Sequence, residues 1–243
     1  MNFSLFIPNL IKIWSKYWHL FLLEGLKNTL ILTCISVSLG TIFGAVVALM
    51  RMSKSVILRF FASLYIEIIR GTPILLQLFI FYFVLPSLLP FLKLSPFLWV
   101  SFALCVNSAA YVSEVIRSGI QAVDKGQTEA ARSLGMSEGQ TMRKIILPQA
   151  VRNILPALGN EFIMMLKETS LASTFFLYDL MTVCNVVKGA EFLTLEPMTI
   201  VAVIYLCMTF PLSKLVGYFE KKMASPTNYR KRKHILLKRK EAN

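Results

Sequence analysis

Charge is scarce in this chain. Only 16% of its 243 residues are Asp, Glu, Lys or Arg, where soluble domains carry roughly 25%. Histidine is scarcer still: His19 and His234 are the only two, so a His-Glu-x-x-His zinc site is excluded. The four cysteines, Cys34, Cys105, Cys184 and Cys207, include no Cys-x-x-Cys pair. Neither a disulfide framework nor a zinc site is expected of them, and they read as small apolar fillers. There is no Gly-x-x-x-x-Gly-Lys-[Ser/Thr] run to cradle a nucleotide's phosphates and no Gly-x-Ser-x-Gly nucleophile elbow. Tyr178-Asp179 has no second aspartate in a comparable segment, so an intramembrane hydrolase gains no support. No catalytic residue, metal ligand or cofactor is predicted.

What is abundant is apolar. Hydrophobic residues make up 56% of the chain and the mean hydropathy is +0.62, more than one soluble core can bury. A bilayer is the natural solvent. The formal net charge is +13, which in a soluble domain would suggest nucleic acid. Here much of it follows the last apolar segment, in the tail 220–243, at Lys221, Lys222, Arg230 to Lys233 and Lys238 to Lys240. A basic block beside a membrane helix is expected to face anionic lipid in the cytoplasm; no nucleic-acid partner is expected.

A spanning helix needs about 20 mostly apolar residues, and five segments qualify. The first runs from Leu26 to Met50, with Gly40 and Gly44 as a small-residue face. The second runs from Val56 to Leu89 and is broken at Arg70, Gly71, Thr72 and Pro73. The third covers Pro96 to Ile116. The fourth, Val151 to Leu180, is expected to break at Pro156 and at Lys167-Glu168-Thr169-Ser170. The fifth is Met198 to Phe219. Residues 1–20, with Trp14, Tyr17 and Trp18 among lysines, read as an interfacial segment. The positive-inside rule gathers the tail, the Arg51–Arg59 turn and the 117–144 stretch in the cytoplasm. Five spans then leave the N-terminus outside. No internal repeat or long linker is visible, so residues 1–243 are predicted to form a single all-α transmembrane domain.

Three sets of residues carry function. Ionisable groups inside lipid are costly unless they meet a partner or water, and default to a pathway. Asn107, Tyr111 and Glu114 recur at helical spacing on one face of the third span, and Lys167, Glu168, Ser170 and Leu171 lie at the break in the fourth. Proline and glycine at Arg70–Pro73 free backbone groups, which at membrane depth must face protein or a watery cavity. Alternatively, Glu67 and Arg70 merely pair across one turn. The third set is the polar loop 124–148. Asp124 and Gln127 have capping spacing, Gly135 sits where a left-handed cap belongs, and Ser137 with Gln140 starts a second short helix that Pro148 is expected to stop.

Glu129-Ala130-Ala131, the glycine four residues on, and Ile145-x-Leu147-Pro148 resemble the cytoplasmic loop of bacterial ABC importer permeases. The resemblance narrows to the polar amino acid branch through four further stretches. They are Arg70-Gly71-Thr72-Pro73-Ile74-Leu75-Leu76-Gln77, Tyr111-x-x-Glu114-x-x-Arg117-x-Gly119-Ile120, Leu147-Pro148-Gln149-Ala150 and Lys167-x-Thr169-Ser170-Leu171. The match weakens at the N-terminus, over Met181 to Glu196 and in the tail.

The resemblance implies a type I importer permease fold in the bacterial cell (inner) membrane. It implies a chain that is not an enzyme itself but the non-ATPase subunit of an ATP-driven importer. Two such subunits, identical or different, would enclose the pathway. Cytoplasmic ABC ATPase subunits would dock on Gln127, Glu129, Ala130, Ala131, Leu134 and Gly135, and an extracytoplasmic substrate-binding protein would deliver an amino acid. The expected substrate site lies among Asn107, Tyr111, Glu114, Lys167, Glu168, Ser170 and Leu171. There Glu114 or Glu168 would meet the ammonium, and Lys167 with freed amides the carboxylate. The competing expectation is a secondary transporter or channel that uses the two broken helices without any ATPase.

Overall fold

The computed structural model describes residues 3–223, all of whose regular structure is helical; the basic tail beyond Met223 lies outside them. A short turn, Phe3–Leu5, leads into α1 (Phe6–His19), a wide turn (Leu20–Leu26) and α2 (Lys27–Arg51). Then come α3 (Val56–Gly71), α4 (Ile74–Phe79), a wide turn (Ile80–Val84) and α5 (Leu85–Leu88). They are followed by α6 (Pro96–Gln121), α7 (Lys125–Ser133) and α8 (Glu138–Thr141). A third wide turn (Met142–Ile146) opens α9 (Leu147–Glu168), a 3-10 helix (Thr169–Phe175), α10 (Leu180–Glu191) and α11 (Leu195–Met223). Phe6–Arg51, Pro96–Gln121 and Leu195–Met223 are each long and apolar enough to cross a membrane. The number rises to five if two bent pairs each count as one: Val56–Gly71 with Ile74–Leu88, turned by 105°, and Glu138–Phe175 with Leu180–Glu191, turned by 47°.

Two expectations about proline need correcting. Pro148 does not end a helix; it lies within one helical path that runs from Glu138 to Phe175. The wide turn Met142–Ile146 precedes it and leaves room for the ring, and the Gln149 side-chain amide donates to the Ile145 carbonyl at 2.9 Å. Pro156 does not break the fourth segment either, because α9 runs through it to Glu168. The break comes at Thr169–Phe175, where the helix tightens and then stops at Phe176, whose φ of 53° is left-handed.

The described residues fall into two compact units. The first takes the chain up to Glu114 and Glu161–Pro211. Its α2–α6 seam is closed by two glycines. A Cβ on Gly40 would lie 2.7 Å from Ser108 Cβ, and one on Gly44 would lie 2.8 Å from the Ala109 carbonyl. One core gathers Leu32, Leu78, Leu104, Met165 and Phe175; another gathers Phe21, Leu180, Val183 and Ile200. The second core seats α10, which is held at both ends. At its start, fully buried Asp179 accepts from the Met181 and Thr182 amides and from the Thr182 hydroxyl, while Thr29 accepts from the Leu180 amide at 3.1 Å. At its finish, Glu191 meets Lys12 at 3.1 Å, Lys16 at 2.6 Å and the Tyr17 hydroxyl at 2.8 Å. The second unit takes Val115–Asn160 and the chain from Leu212 on.

Candidate functional site

The polar loop in the second unit folds on its own hydrogen bonds. Asp124 caps α7 through the Gly126 amide at 2.8 Å. The expected pairing with Gln127 is therefore replaced by a plain cap, since a short aspartate reaches the nearer amide. At the other end Gly135, with φ of 81°, donates to Arg132 O at 3.0 Å and Met136 donates to Ala131 O at 3.1 Å. That crossed pair is the glycine-terminated C-cap of an α-helix. Two residues later Ser137 accepts from the Gln140 amide at 3.3 Å, and the Gln140 side chain accepts from the Ser137 amide at 2.9 Å, a complete capping box. Of the residues singled out for docking, Gln127, Glu129 and Ala130 are exposed and Ala131 is buried. Leu134 is 84% exposed, an apolar side chain held out from a rigid turn.

In the first unit Asn107, Tyr111 and Glu114 share one face of α6, as their spacing predicts, and that face meets the α3–α4 break. Tyr111 lies under the Arg70 guanidinium at 5.4 Å, and Glu114 takes Arg51 on one oxygen and Arg70 on the other at 3.5 Å. Arg70 thus turns to Glu114 on α6 rather than to Glu67 on its own helix. Asn107 is buried and donates to Gln77 Oε1 at 2.9 Å. Gln77 is the residue that sequence reasoning missed. Its amide donates to Ile69 O at 2.7 Å, to Thr72 O at 3.1 Å and to Thr72 Oγ1 at 2.9 Å. One side chain thereby satisfies the carbonyls that a proline-terminated helix leaves over.

Ser108, the next residue on α6, donates to Glu161 on α9 at 3.2 Å. Glu161 is only 4% exposed and was also missed, although an acidic residue inside the fourth expected span was a signal for it. Glu168 has one carboxylate oxygen buried with no hydrogen-bond partner among the described residues. Lys167 is exposed, Ser170 and Leu171 are half-buried within the 3-10 helix, and Leu171 packs on the core around Leu104. The Ser108–Glu161 bond links α6 to α9, and Leu104, at helical spacing from Asn107 and Tyr111, shares a core with Leu171. Among the described residues no group of His, Cys, Asp and Glu is arranged to hold a metal ion.

Long apolar helices, two polar breaks and a self-capped pair of short helices define a membrane transport subunit. Residues 40–225 match the family of binding-protein-dependent transport system inner membrane components, and the chain belongs to that family. It is 42% identical over 205 residues to an arginine transport system permease protein of Bacillus subtilis, covering 84% of this chain and 93% of that one. A Rickettsia typhi permease named for glutamine transport is 41% identical over 214 residues, covering 88% of this chain and 97% of its own. A solved structure of an amino acid ABC transporter with histidines matches with a TM-score of 0.81 and 46% identity, over 86% of this chain and 96% of that chain.

Proposed function

We propose that this chain is the membrane-spanning, non-ATPase subunit of an ATP-driven importer for amino acids. The observation that carries the proposal is the pair of short helices around Gly135, a knob fixed by its own caps that presents Leu134 to a partner. ATPase subunits dock on Gln127, Glu129, Ala130, Ala131, Leu134 and Gly135, so the loop receives their motion. Two copies, or this chain and a related one, enclose the pathway, and an extracytoplasmic binding protein supplies the substrate. The whole chain acts as one transmembrane domain, with residues 1–20 lying at the interface. The loop and the basic tail lie in the cytoplasm, where the tail faces anionic lipid.

The substrate passes the polar groups of α6 and α9. Glu168, with its unpaired buried oxygen, is the partner for the substrate ammonium, because Glu114 is already engaged by two arginines. Lys167 and the backbone at Ser170 and Leu171 complete that side of the path, and Asn107, Tyr111 and Glu114 line the side at the Arg70–Pro73 break. Relatives named for arginine and glutamine transport support an amino acid as cargo.

The test is reconstitution of the chain with its ATPase and binding protein in vesicles, offered a panel of labelled amino acids. ATP-dependent uptake of at least one is expected. Uptake that proceeds without the ATPase would instead identify a secondary transporter or channel.

A further inference from the structure

We propose that Arg70 is a carboxylate-binding residue of the pathway, which exchanges Glu114 for the carboxylate of the passing substrate. The proposal rests on the cargo being an amino acid and adds a residue, a ligand group and an exchange to that reading. Arg70 ends α3, beside Gly71 and immediately before the 105° turn. Its partners Tyr111 and Glu114 lie on α6. A guanidinium among apolar helices is costly unless it faces a partner or a watery path. Its side chain is 43% exposed.

Arg51 pairs with one Glu114 oxygen, while Arg70 stands 3.5 Å from the other, longer than the roughly 2.7–2.9 Å of a formed charge-assisted bond. If Arg70 swings away, Arg51 still neutralises Glu114, so the carboxylate is not stranded. The Tyr111 ring at 5.4 Å gives the guanidinium a surface to pivot on without losing a favourable contact. A planar fork of N–H donors is matched to a planar carboxylate, which takes two parallel bonds where lysine offers a point charge. The carboxylate common to all amino acids meets that requirement; a lipid phosphate would meet it too, and the experiment separates them.

Binding of L-glutamine and L-arginine to the detergent-purified complex is compared with binding of their α-carboxamides, which keep the ammonium and side chain. The acid should bind about ten- to a hundredfold more tightly than the amide in the natural protein, the range of one charge-assisted contact. Arg70→Gln should collapse that ratio towards one, with Arg70→Lys falling between. A second measurement needs no variant: phenylglyoxal modification of Arg70, followed by mass spectrometry, should be slowed by L-glutamine and not by its amide. An undiminished acid-to-amide ratio in Arg70→Gln overturns the proposal while leaving amino acid transport in place. So does protection of Arg70 by added anionic lipid alone. Failure of every amino acid in the uptake panel to enter overturns the proposed function first, and this assignment with it.

Discussion

Asn107 Nδ2 lies 2.9 Å from Gln77 Oε1, and through that bond α6 grips a helix turned by 105°. Tyr65 adds a second hold from the near side of the turn, donating to Val106 O at 2.6 Å. Gln77→Leu removes the donor to the Ile69 and Thr72 carbonyls and leaves the Asn107 amide without its acceptor. Each buried group stranded in this way costs about 1–3 kcal/mol. The purified complex should melt several degrees lower and transport more slowly; an unchanged melting temperature and uptake would show that the staple is idle.

Gly135→Val tests the docking knob. At φ of 81° a β-branched residue is disfavoured by about 1–2 kcal/mol, so the cap should reopen and Leu134 should lose its fixed place. Membrane insertion should be normal, whereas ATPase co-purification and uptake should both fall. Normal values for both would remove the loop from the coupling path.

These two sites show which features could be read from the sequence. The knob was legible because its hydrogen bonds span only a few residues, so Gly135, Ser137 and Gln140 announce it in order. The break at Arg70–Pro73 was legible for the same local reason, and so was the α6 face carrying Asn107, Tyr111 and Glu114. The cross-helix pairings of Gln77 and Glu161 were not legible, because their partners Asn107 and Ser108 are distant in sequence and meet them only after the helices pack. Pro148 and Pro156 are not breaks because a proline's effect depends on the turn in front of it: a wide turn precedes Pro148, and both residues are carried within one helical path.

Glu168→Gln should raise the substrate concentration for half-maximal uptake by about ten- to a hundredfold, the loss expected for one charge-assisted contact to an ammonium. Initial-rate kinetics on the reconstituted complex measure it directly. Unaltered kinetics would leave Glu168 as a structural group.

Cysteines placed at Ser4 and Glu138 should react with membrane-impermeant reagents from opposite sides of sealed vesicles. Both positions are exposed. Labelling from the same side would rule out an odd number of crossings between them.

Gly44→Leu should prevent close approach of α2 and α6, because the added carbons collide with the Ala109 carbonyl and Val112. Overpacking of this kind costs about 1–3 kcal/mol or more. The yield of folded protein in membranes should drop, and a yield equal to that of the natural protein would mean the seam can spread.

The helical path from Phe6 to Arg51 counts 46 residues, which at 1.5 Å per residue makes a rod of about 69 Å. The hydrocarbon layer of a bilayer is only about 30 Å thick. Less than half of the rod can therefore be a crossing, and the remainder has to project beyond the acyl chains or lie along them. The loosened turn at Leu20–Leu26 falls between the polar, lysine-bearing length and the apolar one, so it marks where the rod changes surroundings.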